Sequence, residues 1–109
     1  MELFHYLAED GKDIVREWLA RLVDQRARAK INARFDRLRA DNFGDCKPLS
    51  DGVWELRIDW GPGYRVYYAR IGQMVLLLLC GGDKRSQAAD IARAIEYFKD
   101  YKRRTKDEG

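Results

Sequence analysis

The sequence has 109 residues, 46% hydrophobic and 36% charged, which is enough for one hydrophobic core and too few for two. That balance excludes a disordered, collagen-like or low-complexity chain, and the longest apolar run, Met74–Cys80, falls far short of the roughly 20 residues of a membrane span. The net charge of +3 is modest but unevenly placed: an acidic first 25 residues precede residues 26–39, which carry six cations against one carboxylate.

The start, Met1–His5, lacks a basic region and an apolar signal core, so a cytoplasmic location is expected. Leu3, Phe4, Tyr6 and Leu7 supply a short first strand. From Lys12 the period changes: Ile14, Trp18 and Leu22 with Val15 and Leu19 recur at three and four residues, which predicts a helix. A second helix fits residues 25–40, with Ala27, Ile31, Phe35 and Leu38 on one stripe and Arg26, Lys30, Arg34 and Arg37 beside it. Such a stripe reads as a polyanion contact or as a plain solvated face.

Residues 41–52, rich in Gly, Asp and Asn, read as a connector. Trp54, Leu56, Ile58 and Trp60 then alternate with Glu55, Arg57 and Asp59, the period of a strand. Gly61-Pro62-Gly63 reverses the chain, Tyr64–Arg70 returns, and Met74–Cys80 is a third, central strand that Gly81-Gly82-Asp83 breaks. Ala88, Ile91, Ile95 and Phe98 mark a last amphipathic helix. The expectation is one α+β domain over residues 1–109, with an N-terminal strand, a helical hairpin, an antiparallel meander and a C-terminal helix. The helices are expected on one face of the sheet.

If Leu56 and Ile58 face the helices, then Glu55, Arg57 and Asp59 face away, and Arg65 and Tyr67 of the next strand join them. That outer face reads as a ligand surface or as a solvated face laced with pairs such as Arg65–Glu55. Lys84-Arg85-Ser86 sits where the third strand ends, with Ser86 a cap for the last helix. Two cations, amides freed by the glycines and a helix start suit a phosphate, and Arg65 is expected to approach the same volume. Plain turn chemistry is the alternative. His5, the sole histidine, excludes a two-histidine ribonuclease, and Cys46 and Cys80 read as structural. No metal-ligand spacing and no Walker or Rossmann glycine pattern occurs, so neither metal nor cofactor is expected.

Three segments together, Asp51–Arg57, the Gly61–Tyr68 hairpin and the Leu78–Gln87 junction, resemble the RelE/ParE toxin superfamily. The likeness is closest to its HigB-like, phage-related addiction-module killer subgroup. The connector Asn42–Pro48 and the stretch Asp90–Ala94 share it, so the resemblance spans roughly residues 3–100. It implies the toxin of a type II toxin–antitoxin pair, inhibiting translation by ribosome-dependent mRNA cleavage. Relatives of the ParE type instead poison DNA gyrase, and an inactive binding module is a further alternative. The resemblance maps the family's strand arginine onto Arg65, its post-strand basic residues onto Lys84 and Arg85, and the Glu-Leu-Arg arginine onto Arg57. The tyrosine or histidine that several relatives carry near the end has no counterpart in Gln87–Asp90. On this reading Arg65, Arg57, Arg85 and Lys84 surround the scissile phosphate and Tyr67 stacks on a base or bonds the phosphate. Arg26, Lys30, Arg34 and Arg37 hold RNA phosphates. The implied partners are the ribosome, mRNA and a small helix-turn-helix antitoxin; no membrane partner is expected.

Overall fold

The computed structural model describes residues 1–106; the last three residues of the expected domain lie outside the described ones. The elements are β1 (Glu2–His5), α1 (Ile14–Arg21), α2 (Gln25–Arg39), β2 (Cys46–Pro48), β3 (Val53–Ile58), β4 (Tyr64–Arg70), β5 (Val75–Asp83), a single 3-10 turn (Lys84–Ser86) and α3 (Gln87–Thr105). This is the α+β arrangement the periodicities predict. No helix among the described residues is long and apolar enough to cross a membrane.

The first two helices each start where a side chain can take up the orphan amides of the first turn. Asp13 accepts from Arg16 N ahead of α1, and Asp24 from Arg26 N and Ala27 N ahead of α2. Asp13 also stands 2.9 Å from His5 Nδ1, which ties the end of β1 to the start of α1. Ala27, Ile31, Phe35 and Leu38 are buried, as their helical spacing requires.

The sheet order is β1-β5-β4-β3-β2. From β2 to β5 it is an antiparallel meander, and the connector contributes β2 as its short edge strand. At the opposite edge β1 runs parallel to β5, with Glu2 opposite Val75 and His5 opposite Leu78. The sheet is therefore mixed, and β1 is the strand that departs from the meander.

The expectation that all helices lie on one face is overturned. On one side Leu56, Val66, Tyr68, Leu76 and Leu78 pack with Val15, Ile31 and Leu38 of α1 and α2. On the other, Val53, Tyr67, Ala69, Leu77 and Leu79 pack with Ala94 and Phe98 of α3. The unbroken apolar run of β5 is what a strand covered on both faces needs. Of the expected α3 stripe, Ile91, Ile95 and Phe98 do face this core, whereas Ala88 is exposed and Asp90 and Ala94 are buried instead.

Gly81 and Gly82 do not break β5; they pair opposite Val66 and Arg65 inside the sheet. A shift of register between Tyr67/Tyr68 and their partners turns Leu79 and Cys80 both toward α3. Gly81 and Gly82 thus point to opposite sides. A Cβ on Gly81 would overlap the Trp18 ring, and one on Gly82 would overlap the Asp90 carboxylate. The glycines let an indole and a carboxylate touch the strand backbone.

Candidate functional site

Arg57 and Arg65 stand opposite each other on β3 and β4, and Gly82 of β5 is opposite Arg65. All three project to the α3 side of the sheet, at the end where α3 begins. Their neighbour on the same face, Glu55, is only 1% exposed. Its Oε1 accepts from Arg57 Nε at 2.8 Å and lies 3.3 Å from Arg65 Nε, an ion pair off the line of a hydrogen bond. Its Oε2 accepts from Gln87 Nε2 at 2.8 Å. Burial alone would push the Glu55 carboxyl up; the Arg57 and Gln87 hydrogen bonds and the Arg65 charge outweigh it and hold it below the usual range. One buried carboxylate thus fixes two arginines.

Arg65 also donates from Nη1 to the Tyr64 carbonyl at 3.0 Å and is 13% exposed. Gly63 lies beneath it at φ +83°, and a Cβ there would stand 3.4 Å from Arg65 Nη1 and 3.6 Å from Lys84 Cβ. The bare hairpin lets Lys84 come up beside Arg65. Arg57, Arg65, Lys84, Gly61-Pro62-Gly63, Asp45 and Asp59 then line one open cleft of about 470 Å³. Its walls carry three cations against two carboxylates.

Arg85 does not join them. Its Nη2 pairs with Asp83 Oδ2 at 2.9 Å and its side chain is 82% exposed. The expected cradle of free amides is absent too, because Asp83 and Gly82 pair with β4 and the Asp83 carboxylate already accepts Arg85 N at 2.8 Å. Ser86 makes no side-chain cap for α3; its hydroxyl donates to Asp90 Oδ2 at 2.5 Å. Asp83 thus takes up Arg85 and its amide, and Asp90 takes up the Ser86 hydroxyl.

Tyr67 is likewise corrected. It shares the face with Arg65 but is fully buried under α3, so no base can stack on it. Burial raises its phenol well above the ordinary value. Cys80, buried in β5, is pushed up to about 12 for the same reason, which leaves it a thiol and a poor nucleophile.

The basic stripe of α2 divides. Arg26, Lys30 and Arg37 are exposed, and Lys30 Nζ sits 4.5 Å over the Trp60 ring. Arg34 turns inward instead: it donates to the carbonyls of Arg57, Phe43 at 3.0 Å and Asp45 at 3.4 Å. It is a clamp between α2, the connector and β3, not a free phosphate ligand. Lys30, Ala33, Arg34, Arg37, Ile58 and Asp59 line a second, smaller groove of about 260 Å³.

Glu55, Gln87, Asp45 and Asp59 are the members of this region not expected as site residues. Glu55 had a signal, since it alternates with Arg57 and faces Tyr67 beside Arg65 in register. Gln87 had none, because only the packing of α3 onto the second face brings it there.

The model of the family described as "Phage derived protein Gp49-like (DUF891)" matches residues 17–99, a span that contains every residue of the cleft. An uncharacterized protein of Haemophilus influenzae is 54% identical over 77 residues, which cover 71% of this chain and 78% of that protein.

Proposed function

Since this chain belongs to the phage-derived Gp49-like family (DUF891), we propose that it is the toxin of a type II toxin–antitoxin pair and cleaves mRNA on the ribosome. The observation that carries this reading is the pair Arg57 and Arg65, held by the buried Glu55 beside Lys84 in one open cleft. In RNA cleavage the ribose 2′-oxygen attacks the adjacent phosphorus, and negative charge builds on the non-bridging oxygens. Cations fixed in advance stabilise that charge without having to reorganise during the reaction. Arg65, ordered by Glu55 and the Tyr64 carbonyl, presents a planar fork suited to two phosphate oxygens. Lys84 adds a point charge at the rim.

A site of this kind is weak on free RNA. The ribosome supplies substrate geometry, and ordering of reactants contributes about 7–11 kcal/mol to such reactions. Dependence on the ribosome fits a cleft without histidine, and it places the protein in the cytoplasm. The antitoxin, a small helix-turn-helix protein on this reading, neutralises the toxin by covering the cleft or the exposed cations of α2.

The test is induction of the protein followed within minutes by mapping of mRNA 5′ ends. Cuts within A-site codons support the proposal. A DNA-damage response without such cuts would replace it with gyrase poisoning, and neither response would leave a binding module.

A further inference from the structure

Two cavities meet at one residue. Asp59 follows the last residue of β3 and lines both the cleft with Arg57, Arg65 and Lys84 and the groove with Lys30 and Arg37. Three neighbouring carboxylates are committed. Glu55 holds the two arginines and Gln87, Asp83 holds Arg85, and Asp24 caps α2 and accepts from Trp60 Nε1 at 3.2 Å. The Asp45 carboxylate is exposed and, among the described residues, also without a partner, but it lines the cleft alone and not the groove. Asp59 is exposed and, among the described residues, no cation or hydrogen-bond donor holds its side chain. A free carboxylate thus stands between two groups of cations.

An RNA strand alternates phosphate and ribose. If one phosphate sits in the cleft and the preceding one on Lys30 and Arg37, the ribose between them passes the shared wall. We propose that Asp59 is the proton acceptor of the cleavage reaction, positioned at the ribose whose 2′-hydroxyl attacks the phosphate held by Arg57 and Arg65. The Asp59 carboxylate takes the 2′-hydroxyl proton as the 2′-oxygen bonds to phosphorus. The bond from phosphorus to the 5′-oxygen breaks, and that oxygen takes a proton from water. The products are a 2′,3′-cyclic phosphate and a 5′-hydroxyl. The arrangement also fixes polarity: the strand runs 5′ to 3′ from the α2 groove into the cleft. This assignment rests on the nuclease reading and supplies the base that its cations do not.

The experiment is single-turnover cleavage of defined mRNAs on bacterial ribosomes by the wild type and by Asp59→Asn, with ribosome affinity and Tm measured for both. Each protein is assayed on ordinary mRNA and on mRNA carrying a 5′-bridging sulfur at the scissile bond, whose better leaving group removes the need for a proton donor. Asp59→Asn is expected to cut at least about 100-fold more slowly on both substrates, with ribosome affinity within twofold and Tm unchanged. Wild-type cutting matched by Asp59→Asn would overturn the assignment alone. Rescue of the variant by the sulfur substrate would also overturn it, because Asp59 would then be a donor. A slow variant that has lost ribosome affinity in proportion would make Asp59 a binding residue. Ribosome-bound mRNA left intact by the wild type would overturn the nuclease reading, and the assignment with it.

Discussion

At the scale of single residues, the cleft depends on what the arginines are tied to. Arg65→Ala removes the fork but leaves Glu55 with Arg57 and Gln87, so the fold should survive with a Tm loss of a few degrees. Cleavage of ribosome-bound mRNA should fall about 100- to 1,000-fold, the usual cost of one donor at a developing charge. Arg65→Lys should not restore it, because an ammonium cannot span two oxygens; a single-turnover assay of both variants checks this. Glu55→Gln is the opposite case. It leaves Arg57 and Arg65 beside a neutral amide, and should cost stability, about 1–3 kcal/mol, as well as cleavage. Its pH signature is specific. The folded Glu55 carboxyl is held below its unfolded value, so its stabilisation is complete above an unfolded glutamate's pKa of about 4.3. It is lost as pH falls from there through the lower folded value. Thermal melts from pH 6 to pH 3 should show this acid loss diminished in Glu55→Gln.

At the scale of elements, α2 carries neighbouring cations with different work. Lys30 and Arg37 are exposed, while Arg34 spends its guanidinium on three carbonyls of the connector and β3. Neutralising Lys30 and Arg37 together should lower the slope of log affinity for single-stranded RNA against log salt by about 1.4, at roughly 0.7 per phosphate contact, with little change in Tm. Arg34→Met should do the reverse: leave the slope unchanged and lower stability by about 1–3 kcal/mol, because carbonyls of Arg57 and Phe43, both partly buried, lose their donor. Salt titrations and denaturant melts of the two variants separate the roles. A helical wheel puts all four basic residues on one stripe, and that part was legible. The connector that folds back against Arg34 lies outside the helix, so no wheel can show it.

For the whole molecule, the layering α1/α2–sheet–α3 buries β4 and β5 from both sides, whereas β2 is a three-residue edge strand with two exposed residues. Amides of Val66, Tyr68, Leu77 and Leu78 should therefore exchange with solvent only through global unfolding, and those of β2 through local opening. Hydrogen exchange followed by NMR should place the two groups several kcal/mol apart, the first at the free energy of unfolding from denaturant titration. The residue after β1 is also joined to α3: Tyr6 Oη donates to Asp100 Oδ2 at 2.5 Å, and burial with that carboxylate pushes the phenol up to about 12.

The sequence by itself determined what depends on near neighbours along the chain. The helical spacing of Ala27 to Leu38, the alternation of β3 and the Gly61–Gly63 reversal set the elements, because backbone geometry repeats every 3.6 or every two residues. The apolar length of Leu76–Cys80 even carried the sign of a strand covered on both faces. Tertiary structure alone decided what sits across those faces. The placing of α3 over the second face buries Tyr67 and Glu55 and brings Gln87 to the arginines. The closing of β3 against α2 makes Asp59 the wall of two cavities. Each of these is a contact between residues on different elements, and side-chain charge acts through space, so the pattern of any one segment holds only half of it.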